Sequence, residues 1–166
     1  SIAIVQLKKL KKIIKKRIYI ANYLTEKLSE FNGLILPKIH TDSTNVYYTY
    51  PIILNPDMNF SRKKILYYLK KEGVEGMGAG YQNLHLLPLF KKKTLYGKTS
   101  FPWNSEFNKR KISYIKGICP IAEKLHDELF IGFGISHYDL KKLDVDFIYK
   151  KFKKILGYTD IYQTKY

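Results

Sequence analysis

Residues 2–31 carry apolar side chains at steps of three and four: Leu7, Leu10, Ile14, Ile18, Ala21, Leu24, Leu28 and Phe31. That period predicts one long helix with a single apolar stripe. Lys8, Lys9, Lys11, Lys12, Lys15, Lys16 and Arg17 fall mostly off the stripe, and no acidic residue occurs before Glu26. Gly33 fits the residue that stops the helix. Tyr47 to Leu54 is rich in β-formers and reads as a strand, although Pro51 favours an edge or a bulge there. Asn55, Pro56 and Asp57 form a turn. Ser61 can cap a helix over 62–72 with Ile65, Leu66 and Leu69 inward, ended by Gly73. A short strand follows through Val74 and Met77.

From Gly78 to about Gly117 the periodicity disappears, and prolines, glycines and aromatics dominate. A stretch of that length inside a compact domain points to function rather than filler. Cys119-Pro120 opens a short helix reaching Glu128, with proline at a tolerated first position. Leu129 to Phe133 reads as a strand. A last helix runs from about Leu143 to Leu156, with Phe147, Ile148, Phe152, Ile155 and Leu156 inward, Asp144 and Asp146 at its positive end, and Gly157 as its stop. The order α, β, α, β, loop, α, β, α predicts an α+β chain: a small sheet with helices packed on it. It divides into a linking helix over 1–32, a small α/β domain over 33–157 and a loosely held tail over 158–166.

The charge changes this picture less than it first suggests. The 166 residues hold 30 Lys plus Arg against 14 Asp plus Glu, a formal charge of +16. A nucleic-acid or membrane partner is the obvious inference. Yet only Arg17, Arg62 and Arg110 are arginines. Arginine supplies the planar fork that phosphate and base recognition favour. Lys, Ile, Tyr, Asn and Phe all have A/T-rich codons, so coding drift accounts for the composition. A solvated lysine surface is the favoured reading, nucleic acid is disfavoured, and no membrane partner is expected. One cysteine excludes an internal disulfide framework. No apolar run is long enough for a membrane span, and no signal-peptide pattern opens the chain, so a cytoplasmic location is the default.

Candidate chemistry is sparse. Gly73, Gly76, Gly78 and Gly80 superficially match a phosphate-binding loop, but no helix start follows them, so close backbone turns account for them better. His40, His85, His126 and His137 show no metal-ligand spacing. Cys119 has no local base and reads as a capping or core residue. Tyr47, Tyr48, Tyr50, Tyr67, Tyr68 and Tyr81 could stack bases, but their interleaving with aliphatics fits a core better. His85 stands apart because it lies in the irregular segment, between Tyr81 and Pro88.

Several stretches, in order along the chain, resemble one family. Ile4-Val5-Gln6-Leu7-Lys8-Lys9-Leu10, with Arg17 and Ala21 downstream, looks like the helix entering the small domain of DegT/DnrJ/EryC1/StrS aminotransferases. The run Tyr81, Leu84, His85, Pro88 and Phe90 resembles the family's loop facing the active site. Cys119-Pro120-Ile121-Ala122-Glu123-Lys124-Leu125-His126 is similar to its Cys-Pro-x-Ala-Glu helix, and Asp144-Val145-Asp146 to the start of its final helix. Phe101-Pro102-Trp103 and Lys116-Gly117 resemble a subgroup. Lys141 and Lys142 depart from the family's usual Thr and acidic residues before the final helix, and Ile131-Gly132-Phe133 from its commoner Leu-Pro-Leu.

The resemblance implies a small, mainly antiparallel sheet like that of a fold-type I aminotransferase small domain. It implies the C-terminal part of a pyridoxal-phosphate enzyme that aminates a keto-sugar, usually nucleotide-linked, in amino-sugar or surface-polysaccharide synthesis. The cofactor lysine would lie in a large domain upstream, so no catalytic or cofactor residue is assigned, and this chain alone is expected to hold no pyridoxal phosphate. Tyr81, Asn83, His85 and Trp103 are the substrate-side candidates. Expected partners are a nucleotide-sugar substrate, an amino acid donor, and either a homodimer of the full-length protein or a large-domain chain. The alternatives are a basic module for nucleic acid or another polyanion, and a non-catalytic remnant.

Overall fold

A computed structural model describes residues 2–58, 60–97 and 99–162 of the chain. The helices are α1 (Ile2–Leu28), α2 (Arg62–Lys71), α3 (Pro88–Lys92), α4 (Pro120–Lys124) and α5 (Lys142–Tyr162). The strands are β1 (Leu34–Ile35), β2 (Tyr50–Leu54), β3 (Met77–Gly78) and β4 (Phe130–Phe133). They form one sheet in the order β1-β2-β4-β3, every pair antiparallel. The expected α+β architecture is therefore present.

Two compact units make up the chain: residues 2–79 with 129–162, and residues 80–128. The first holds the sheet and the main apolar core. Ala21, Leu24 and Leu28 of α1, Ile52 and Leu54 of β2, Ile65 and Leu69 of α2, Ile131 and Phe133 of β4, and Val145 and Phe152 of α5 are all buried in it. The alternation of β2 is the period-two pattern of a strand with one covered face: Tyr50, Ile52 and Leu54 are buried, Pro51 and Ile53 less so. Pro51 pairs with Gly132 of β4, while β1 stops opposite Ile53. On its other side Pro51 thus has no strand neighbour, where a missing N–H is tolerated.

The α2 boundaries follow the sequence signals. The Ser61 hydroxyl accepts from the Lys64 N–H at 3.3 Å, and Gly73 takes a φ of +83° just beyond the helix. At the start of α5, Asp144 supplies a cap: its carboxylate accepts from the Lys141 N–H at 2.7 Å.

Four expectations are corrected. The strand begins at Tyr50 rather than Tyr47, because Tyr47 has a φ of +49° that no strand accepts. The Asn45 side chain accepts from the Tyr47 N–H at 2.8 Å, and the Tyr47 ring lies against Tyr50 in the core. The first helix ends at Leu28, and Gly33 is not its left-handed stop. Gly33 instead makes room: a Cβ there would sit 2.3 Å from the Met58 sulfur. The last helix passes Gly157 and continues to Tyr162. An interior glycine weakens a helix by about 1 kcal/mol relative to alanine, too little to end one whose Ile155 and Leu156 are buried just before it. Finally, the middle segment is not wholly irregular. It holds α3 and a 3₁₀ turn over Leu84–Leu86.

The apolar stripe of α1 is covered only in its C-terminal half. Ile20, Ala21, Leu24 and Leu28 are buried, whereas Ile2 is 82% and Leu7 66% exposed. Among the described residues, no helix is long and apolar enough to cross a membrane.

Candidate functional site

The unit over residues 80–128 is organised around one carboxylate. Pro120 starts α4 at the position where its missing N–H does no harm, and this puts Glu123 at the end of the first turn. Its side chain turns back toward the N–H groups of the cap residue and of the segment leading into the helix. The Gly117 N–H donates to both carboxylate oxygens, at 2.9 and 2.7 Å, and the Cys119 N–H donates to Oε1 at 3.2 Å. The fourth contact is His85, whose Nε2 lies 2.8 Å from Oε1. Glu123 is 5% exposed. Burial pushes its carboxyl up, but the hydrogen bonds from His85, Gly117 and Cys119 outweigh that and hold it below the ordinary value of 4.5.

An ionised carboxylate only accepts, so Nε2 of His85 carries the hydrogen. Nδ1 makes no hydrogen bond among the described residues. The His85 side chain is 13% exposed. It sits in the 3₁₀ turn over Leu84–Leu86, which Asn83 opens and Leu87 closes. His85 therefore ties its loop to the start of α4.

The other candidates are placed differently. Tyr81 is 80% exposed. Asn83 is half-buried, and its Nδ2 is buried without a hydrogen-bond partner among the described residues, an uncommitted donor two residues from His85. Trp103 is taken up by structure. Its indole N–H donates to the Tyr114 hydroxyl at 2.9 Å, and its ring packs edge-on to Phe90 and Tyr114. The Asn108 amide donates to the Trp103 carbonyl at 3.4 Å. Cys119 is exposed at the position before α4 and makes no capping bond with its side chain, so it is not a core residue.

Glu123 was not among the sequence candidates. The signal was present: an acidic residue shortly after a proline helix start, in a stretch singled out for its resemblance. Its histidine partner lies 38 residues away, a separation no periodicity registers.

The remaining chemistry is thin. Gly73, Gly76 and Gly80 have positive φ, and the glycine run leads into β3 and a 3₁₀ turn rather than a helix N-terminus, so it is no phosphate loop. At Gly76 a Cβ would also meet the Tyr138 ring at 2.6 Å. No cluster of His, Cys, Asp and Glu fit for a metal occurs among the described residues. Of the six tyrosines that could stack bases, Tyr47 and Tyr50 are core, so they form no common platform.

Residues 1–128 match the DegT/DnrJ/EryC1/StrS aminotransferase family. The chain belongs to that family. Uncharacterized protein MJ1066 of Methanocaldococcus jannaschii is 33% identical over 129 residues, which are 77% of this chain. The match covers 32% of that relative, so the chain spans about a third of its length. The family match ends at the residue that closes the 80–128 unit, so it includes Tyr81, His85 and the whole set of Glu123 contacts.

Enzymes of this family work with pyridoxal phosphate, which needs a lysine able to become an uncharged nucleophile and a carboxylate for the ring nitrogen. Desolvation is the usual way to ready such a lysine. No lysine among the described residues is buried. The described residues therefore do not fit the cofactor, and no chemical step is assigned to them through it.

Proposed function

We propose that this chain is the small, C-terminal domain of an aminotransferase that transfers an amino group from an amino acid to a keto-sugar, most often nucleotide-linked. The family match supports this most directly, together with a span of one third of a longer relative. In the reading, a large domain, in the same polypeptide or a second chain, holds pyridoxal phosphate and its lysine, and the working protein is a dimer. Its place is the cytoplasm, where nucleotide sugars are made.

This chain contributes the loop over residues 81–85. Glu123 fixes the His85 ring and its tautomer, leaving Nδ1 to meet a sugar hydroxyl or a phosphate oxygen. The Asn83 amide offers a second donor nearby, and the exposed Tyr81 ring a face for the sugar or base. Trp103, whose indole N–H is taken by Tyr114, supports the region through its packing. The observation that carries the assignment is the His85–Glu123 pair: a buried carboxylate orienting an imidazole is how such a ring is preorganised.

The test belongs in the protein that contains both domains. His85→Ala should raise the KM for the sugar by about tenfold, the worth of a hydrogen bond to a charged or strongly polar group, with a smaller change in kcat. Tyr81→Phe should keep stacking and lose only what the hydroxyl supplies. If His85→Ala and Tyr81→Phe both leave turnover and KM unchanged, the substrate-side assignment is wrong.

A further inference from the structure

In the sheet-bearing unit a groove of about 510 Å³ runs between α1 and the segment that follows β4. We propose that it binds a small phosphorylated molecule with an apolar body. The volume lies in the range of small-molecule sites. Three cations of α1 line it: Lys12, Lys16 and Arg17. Lys12 and Lys16, four residues apart, lie on one side of the helix, and Arg17 follows Lys16 in the lining. No carboxylate of α1 precedes Glu26, so the helix supplies nothing to neutralise them.

The three cations are committed to different degrees. Arg17 is steadied by donating from Nη1 to the Val46 carbonyl at 3.3 Å, which leaves most of its donors unspent. Lys16 pairs with Asp139 across the groove, the one acidic residue in the lining. Lys12 has no carboxylate partner among the described residues. The groove thus keeps two positive charges beyond the one that Asp139 balances. In the opposite wall the Ser136 hydroxyl is buried and has no hydrogen-bond partner among the described residues. An unpaired hydroxyl beside a cationic groove is a donor in waiting.

His137 and Tyr138 also line it, and the other four residues are aliphatic. Ile13 and Ile20 on α1 face Ile135 and Leu140 of the other wall. Inorganic phosphate would use only the cations. A phosphate ester with a hydrocarbon or aromatic group would also cover these side chains. A walled groove suits a small ester better than the continuous backbone of a nucleic acid, which engages many phosphates along an open face. The site lies in a different unit from His85, so it stands whether or not the substrate-side loop is correctly assigned.

Heteronuclear NMR titration of the 166-residue chain tests it, with phenyl phosphate and inorganic phosphate as probes. Phenyl phosphate should saturate, with shifts confined to residues 12–20 and 135–140, and should bind at least about threefold more tightly than inorganic phosphate. The double variant Lys12→Gln/Lys16→Gln should bind about tenfold more weakly, since two of three local cations are gone, while its melting temperature stays within a few degrees. Unsaturable shifts spread over all the lysines would mean an adventitious ion only and overturn the site. So would equal binding by the double variant. Displacement of phenyl phosphate by a short DNA duplex, with a steep salt slope, would mark a nucleic-acid face instead and also overturn it.

Discussion

Phe152→Ala is expected to lower the stability of the sheet-bearing unit by about 3 to 5 kcal/mol, the range for emptying a fully enclosed phenyl site. Phe152 is 0% exposed on the inner face of α5, and its ring lies 6.4 Å from that of Phe31, just past α1. Both long helices therefore close on the same side chain. Small domains have only about 5 to 15 kcal/mol of stability in all, so this one change should remove a large share of it. Equilibrium urea unfolding followed by circular dichroism measures it, with Phe152→Leu as a companion that refills most of the volume. A loss under about 1 kcal/mol would show that the two helices do not pack as described.

Replacing Glu123 should undo the order of the 80–128 unit without touching the sheet. Glu123→Ala strips the acceptor from the N–H groups of Gly117 and Cys119 and from His85. A buried donor that loses its partner is far less favourable than one never buried. Amide exchange at Gly117 and Cys119 should speed up by about tenfold or more, while β2 and β4 keep their protection. Unchanged exchange at those two amides would refute the role given to this carboxylate. The same group sets an acid limit. Its carboxyl is held below 4.5 in the folded chain, so the unfolded state binds the proton more readily. The stabilisation is complete above the ordinary glutamate value and is lost as pH falls through the depressed one. Glu123→Gln should therefore flatten the acid loss of protection at Gly117. An acid profile equal to that of the unaltered chain would refute it.

These two residues mark what was legible beforehand. Phe152 belongs to a helical period, and so do Leu24, Leu28, Ile65 and Leu69; their burial follows from spacing alone. Ser61, Gly73 and Asp144 sit where local backbone chemistry puts them. Glu123 reaches His85 across 38 residues, and its unit rests on that carboxylate and on the ring packing of Phe90, Trp103 and Tyr114. Such interactions leave no periodic trace, so the stretch from Gly78 to about Gly117 reads as irregular. Gly33 and Gly157 misled for a related reason. Glycine marks a helix end only when its φ turns positive. At Gly33 the need was space beside Met58. His85 was singled out for its setting in an irregular segment, which does not reveal that Glu123 already holds one of its nitrogens.

The uncovered front half of α1 gives the chain the character of a surfactant, with a greasy edge under a row of ammonium heads. At low ionic strength the +16 charge keeps neighbouring copies apart. Added salt shortens the reach of that repulsion, from about 30 Å at 0.01 M to about 3 Å at 1 M, and should let the exposed Ile2, Val5 and Leu7 of different copies come together. Ammonium sulfate should therefore precipitate this lysine-coated chain sooner than its charge would suggest, and dilute buffer should keep it clear.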